Sequence, residues 1–331
     1  MSHLIENMFS VKETPWHKLG HVLDTPPTIE EAIELAGMNW EVQKVPTYYN
    51  RFENNDMSKK DTGHFVTMRK DTGNVIGNVG ERYEILQNYE AFAPFEVITD
   101  YGYTIETAGV IDSGKKVWIL AKTPTEYMVG DDKVLDYILM YTSHDGSSGS
   151  CFRDVQIRVV CNNTLQASLR GKTNFEYKLR HTASIGNRVR SLANNIEKRD
   201  GNVKLAIDKM NIMHDTPMDE TMLEMYIESV MPFLKNRHLV SSPELGVIRR
   251  NKALPVFNTI KQLFHTGEGN KGQTVWDGYN AVTEYHDHNK IHKDWVKGTQ
   301  FGSSYKYKKD AFEVATRVAE QSTQYNMRGN A

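Results

Sequence analysis

The chain reads as an α+β protein: an antiparallel meander sheet packed with helices, followed by a smaller, mainly helical C-terminal part. Three observations carry that reading. Between Tyr103 and Val160, β-rich runs follow one another with turn residues between them. After Ile185 the apolar residues change to three- and four-residue spacing, the period of a helix. An apolar content of 39% in 331 residues supports one large core or two ordinary ones.

The elements follow in order. A tryptophan-containing lead-in precedes Thr28-Ile29-Glu30-Glu31, a capping box in which the Thr28 hydroxyl and the Glu31 carboxylate satisfy each other's orphan backbone N–H groups. Ile29, Ala32, Ile33 and Ala36 then share a helical face, and Gly37 supplies the stop. Trp40 to Val45 is extended, and 51–63 is expected to be a polar loop. His64–Arg69 and Asn74–Gly77 flank Asp71-Thr72-Gly73, a hairpin signal. Gln87–Asp100 is helical with a break at Pro94. The meander runs through Tyr103–Ile111, Lys116–Lys122, Lys133–Thr142 and Phe152–Val160, its first turn marked by Asp112-Ser113-Gly114. Asn162-Asn163-Thr164 can cap a short helix over Leu165–Leu169. Asn174–His181 alternates as a strand, and one long helix carries Ile185, Val189, Leu192, Ile196, Val203, Ile207 and Met210. Helices at 216–230, 255–264, 276–288 and 310–321 complete the chain. The expected division is an α+β core domain with its lead-in over 1–214 and a helical region over 215–331.

Composition excludes several classes. The net charge of −2 gives no global attraction to polyanions, so nucleic-acid binding has to come from a local patch. No run of about 18 apolar residues is present to span a membrane, and the N-terminal residues lack the layout of a secretory signal. If 152–160 is one strand, Cys151 and Cys161 lie roughly 30 Å apart and cannot form a disulfide. Free thiols fit a cytoplasmic protein.

The strongest chemical signal is local charge. From Arg153 to Arg190 the chain holds Arg153, Arg158, Arg170, Lys172, Lys178, Arg180, Arg188 and Arg190 against Asp154 and Glu176, a balance of +6 in 38 residues. Such cations neutralise phosphates and release counterions. Phe175 and Tyr177 lie among them and can stack unpaired bases. The bland alternative is a solvated strand and helix. The loop Ser143-His144-Asp145-Gly146-Ser147, continued by Ser148-Gly149-Ser150, can offer N–H groups to an anion, together with Asn162, Asn163 and Thr164. Ser, His and Asp also make catalytic triads, but adjacency in sequence does not make triad geometry, and a plain hairpin loop explains the composition equally well. Glu284, His288 and His292 can share a helical face and hold a metal, although the His-Glu-x-x-His order is absent and a polar helix end is the simpler reading. No catalytic residue is assigned, and no cofactor is expected.

The run SHDGSSG followed by IRVVCNNTLQASL resembles the phage/plasmid-like family of unknown function found in phages, prophages and plasmids. TPWHKLG, ERYEILQNYEAF and VWDGYNAVTEYHDH fit the same family, in order, from Trp16 to about Ala311. The resemblance implies a mobile-element protein working in a bacterial cytoplasm and implies no activity. The order of strands and basic helix at 103–212 is similar to the core of phage single-strand annealing proteins, a likeness of element order alone. The reading that follows is a single-stranded DNA-binding protein, an annealing or recombination accessory, without a membrane and with a homo-oligomer in view. The alternatives are a counter-defence protein that binds a host protein and a metal-dependent enzyme.

Overall fold

The computed structural model describes residues 5–12, 20–53, 56–159, 163–165, 176–192, 196–231, 243–291, 298–299 and 302–329. Its strands are β1 (Ile5–Val11), β2 (His21–Leu23), β3 (Val42–Glu53), β4 (Asp56–Arg69), β5 (Val75–Val79), β6 (Thr104–Ile111), β7 (Lys116–Val129), β8 (Asp132–Ser143), β9 (Ser150–Arg158), β10 (Asn163–Leu165) and β11 (Glu176–Leu179). Its helices are α1 (Ile29–Leu35), α2 (Asn88–Phe92), α3 (Pro94–Thr99), α4 (Ile185–Arg190), α5 (Ile196–Asp215), α6 (Glu220–Val230), α7 (Pro243–Thr266), α8 (Val275–Glu284) and α9 (Ser303–Gly329), with a π-helical turn at Tyr285–Asn289. The protein is α+β, as the sequence predicts.

Eight strands form the main sheet in the order β10-β9-β8-β7-β6-β1-β2, with β11 also paired to β9. The β6–β9 part is the expected meander. Its first turn uses Asp112 and Ser113 at positive φ (54° and 57°), the conformation that matches the twist of a tight hairpin. One sheet face presents Val117, Ile119, Ala121, Ile138, Met140 and Phe152 to Ala32, Phe92, Phe95 and Ile98 of α1–α3. Burying each such side chain stabilises the fold by about 1.5–3 kcal/mol. The helices start where the chain says they should. Both bonds of the Thr28–Glu31 capping box form, at 2.8 and 3.3 Å, and Pro94 opens α3. The opposite sheet face gathers Trp118, Tyr137, Leu139, Tyr141, Cys151 and Val155.

A third core joins α5–α9 and receives Val129 and Val134 from the tip of the β7–β8 hairpin. Asn211 of α5 holds that tip, accepting the Gly130 N–H at 3.0 Å and donating to Met128 O at 3.2 Å. Among the described residues no helix is long and apolar enough to cross a membrane.

Four expectations change. Residues 51–53 and 56–63 are not loop: they extend β3 and β4 as a long two-stranded ribbon, which β5 joins only at Phe65–Met68. Asn163–Leu165 is a strand on β9 rather than a helix cap. The long helix from Ile185 is two helices, α4 and α5. The helix expected to reach His288 ends at Glu284 and passes into the π-helical turn.

Candidate nucleic-acid interface

The loop joining β8 to β9 is held by its own side chains. Asp145 accepts the Ser143 hydroxyl and, at 2.9 Å, the Ser147 N–H. Its carboxyl stays below the usual range because these donors outweigh burial. A carboxylate is therefore the acceptor inside the expected anion loop. The next anchor is His144, wholly buried, whose N–H donates to Lys115 O and whose carbonyl accepts the Thr67 hydroxyl at 2.6 Å. Its Nε2 meets Asn88 Oδ1 at 2.8 Å, and Asn88 Nδ2 donates to Met38 O. That chain of donors puts the imidazole proton on Nε2. Burial pushes the His144 pKa down to about 3, so the ring is neutral. Gly77 of β5 touches the same loop: a Cβ there would stand 2.4 Å from Asp145 Cα. The loop is thus one tie between the two sheets, beside the Arg69–Glu6 pair from β4 to β1.

The end of β11 lies on the other side of that loop. A Cβ on Gly149 would meet Leu179 O at 2.3 Å and Arg180 Cα at 3.6 Å. His181 follows, with Nδ1 on Glu84 O at 3.1 Å and Nε2 facing the Ser150 and Thr142 hydroxyls at 3.2 and 3.3 Å. Tyr83 stacks on the ring at 4.8 Å. Burial again lowers the His181 pKa. Arg180, exposed, lies in the turn before α4, and Arg188, half-exposed, lies on α4 itself. Arg188 Nη2 donates to Arg180 O at 2.8 Å and to the Thr182 hydroxyl at 3.0 Å. No carboxylate pairs with either guanidinium among the described residues. Lys178 is exposed but spans 3.0 Å to Glu176.

The two strand arginines do not line a groove. Arg153 is 2% exposed, its guanidinium 4.1 Å from the Tyr305 ring. Arg158 is 1% exposed, bound to Asp132, Asn270 Oδ1 and Gly269 O. Both are interior groups that fasten the helical part to the sheet. Tyr177 packs against the main core with Leu179, so it is not an open stacking ring. Lys172, Phe175 and Asn162 lie outside the described residues, as do the side chains of Asn163, Thr164 and Arg190.

The histidine helix also changes character. Glu284 is half-buried with its carboxyl pushed up by burial, His288 is exposed, and His292 lies outside the described residues. No three metal-ligating side chains converge among the described residues. The π-helical turn instead buries His286 and Asp287. Asp287 accepts Lys308 Nζ at 2.6 Å, both side chains fully buried. His286 Nδ1 meets Ser304 Oγ at 3.0 Å and its ring stacks on Tyr307. Lys308, Ser304 and Tyr307 all come from α9, so no spacing rule within the histidine motif could have found this cluster. Cys151 is buried, and burial pushes its thiol up to about 11; Cys161 lies outside the described residues.

This arrangement of meander sheet, tied polar loop and helical cap has a family. The chain belongs to the family described as Domain of unknown function (DUF932), whose model matches residues 75–327. No curated protein and no solved structure matches the chain.

Proposed function

We propose that this protein binds single-stranded nucleic acid through the phosphate backbone, in the service of a phage or other mobile element in a bacterial cytoplasm. The observation that supports it is a juxtaposition: Arg180 and Arg188, without a carboxylate partner among the described residues, stand together beside the β8–β9 loop. Guanidinium groups recognise phosphate oxygens in a planar, paired geometry. Lys178 extends the same edge. Origin in a mobile element rests on the ordered TPWHKLG, ERYEILQNYEAF, SHDGSSG and VWDGYNAVTEYHDH motifs. Annealing needs neither metal nor nucleotide, only strands held by their backbones with base edges free.

The test is fluorescence anisotropy of a labelled oligonucleotide of about 30 nucleotides, single- and double-stranded, at about 50 and 200 mM salt. Single strand binds more tightly and affinity falls with salt. R180A flattens the salt slope by roughly 0.7, one phosphate contact. Binding that ignores salt, or a slope unmoved by R180A combined with K178A, refutes the proposal.

A further inference from the structure

The ERYEILQNYEAF motif has no role in the proposed contact with phosphate, yet its first residues lie against the same loop. β5 ends at Val79, and Gly80 to Tyr83 make a tight turn closed by the Tyr83 N–H on Gly80 O at 3.1 Å. Contacts on both flanks set this turn between the β8–β9 loop and the start of α4. On one side, a Cβ on Gly146 of the loop would meet Val79 Cγ1 at 3.1 Å and Asn78 O at 3.3 Å. The Tyr83 hydroxyl donates to Ser143 O at 3.0 Å. On the other side, the Glu84 N–H donates to His181 O at 3.1 Å. The Tyr83 and His181 rings stack with centroids 4.8 Å apart and planes 6° apart.

That stack positions two arginines. Arg82 immediately precedes Tyr83, and Arg180 immediately precedes His181. Holding the rings together brings the two arginine-bearing backbones side by side, while both arginines stay exposed. No carboxylate pairs with Arg82 among the described residues. A further cation reaches the turn from β3. Lys44 Nζ donates to Glu81 O and Tyr83 O at 2.8 and 2.9 Å, so carbonyl oxygens hold its charge and no carboxylate cancels it. The exposed acids of the segment are Glu81 and Glu84. Asp145 of the loop lies under the charge of Lys116, which offsets it. Lys44, Arg82, Arg180 and Arg188 against Glu81 and Glu84, four minus two, leave +2 where loop, turn and α4 meet.

We infer that Arg82 is a third phosphate contact, and that the strand crosses from the Gly80–Tyr83 turn to the start of α4 over the joint between the two sheets. This rests on the reading of the protein as a single-strand binder and names a residue of that same site. Arg82 lies outside the run of charge at 153–190, so a count of cations along the chain does not select it. Its backbone is pinned by the ring stack and by Lys44 before any ligand arrives, which lowers the ordering cost of the contact. Its planar guanidinium suits phosphate oxygens as those of Arg180 and Arg188 do.

The test is the salt dependence of anisotropy for a labelled single strand of about 30 nucleotides with the full chain. Three contacts give a slope near −2.1, so wild type loses roughly 18-fold in affinity between about 50 and 200 mM salt. R82A loses about 7-fold and R82A/R180A about 3-fold over the same range. R82K keeps the charge and stays near the wild-type slope. R317A removes an exposed arginine from α9 and leaves the slope as it was. Position 82 is an exposed turn corner, and thermal melts show that its variants fold. An R82A slope equal to that of wild type, while R180A flattens the slope, overturns the inference and spares the nucleic-acid reading. An R317A slope as flat as that of R82A overturns it too, because net charge alone then sets the effect. Wild-type binding that ignores salt overturns both.

Discussion

Replacing Arg199 with methionine is the sharpest test of how the sheet holds the helical part. The first turn of α5 inserts the guanidinium between Asp136 of β8 and Asp154 of β9, with side-chain exposures of 1%, 0% and 7%. Methionine keeps most of the volume and removes the charge, leaving two carboxylates buried side by side. Gln156 Nε2 still donates to Asp136 Oδ1 at 2.7 Å, but a neutral donor does not replace the lost ion pair. Breaking a buried pair in this way costs about 3–5 kcal/mol. At about 2.1 cal/mol/K per residue, unfolding carries roughly 0.7 kcal/mol/K, so the melting temperature falls by roughly 4–7 °C. The loss depends on pH with a definite sign. Burial drives the Asp136 pKa above the ordinary aspartate value while Arg199 pulls it back. Without Arg199 it rises further. A carboxyl with a raised folded-state pKa favours the fold below its unfolded pKa and loses that contribution as pH rises through the folded one. The R199M deficit is therefore largest near pH 8 and shrinks towards about pH 5. Calorimetry of both proteins at the two pH values reads it. A deficit below about 1 kcal/mol at pH 8, or one that grows on acidification, refutes the account.

Three further outcomes follow from buried contacts. His144 titrates near 3 in the fold against about 6.5 when unfolded, so its contribution is present above about pH 6.5 and fades as pH falls; H144Q flattens urea-derived stability below that point by up to about 1.4 kcal/mol per pH unit. G77A forces a Cβ into Asp145 and costs more than about 2 kcal/mol, whereas G201A, with nothing within 4 Å on the exposed face of α5, gains about 0.5–1 kcal/mol in the same thermal melts. K308M strands the buried Asp287 carboxylate and costs about 3–5 kcal/mol in guanidinium titration, and K308M/D287L recovers most of it.

The parts of the fold that sequence discloses are those set by neighbours in the chain. The Thr28–Glu31 box, the Asp112–Ser113 turn and the Pro94 start of α3 each need only three or four residues to be read. The ribbon gave no such signal. Strands exposed on both faces show no alternation of apolar and polar residues, so 51–63 looks like loop composition. β1 escapes for another reason: its pairing of Phe9 with Ala108 is long-range, and its short sequence is unremarkable without that partner. The arginines fail differently. Charge is visible in sequence, but Arg158 meets Gly269 and Asn270 more than a hundred residues later, and only the fold reveals that its charge is spent internally. In the histidine segment the π-helical turn rotates His286 and Asp287 inward, replacing the regular helical face on which Glu284, His288 and His292 were aligned.

That loss of Arg153 and Arg158 from the surface changes what binding would look like. Of the eight cations between Arg153 and Arg190, two are interior and Lys178 already faces Glu176, so Arg180 and Arg188 are the principal open pair among the described residues. Two phosphate contacts per chain, or three with Arg82, give a salt slope near −1.4 or about −2.1 for single strands, far shallower than eight would. A single copy with so few contacts binds weakly, and strong binding then requires several copies on one strand, where each further contact is made at high effective concentration. Hence affinity rises steeply once a single strand is long enough to bridge two copies, which anisotropy with oligonucleotides of about 10 and about 60 nucleotides reads. Equal affinity for the two lengths would refute binding by several copies on one strand.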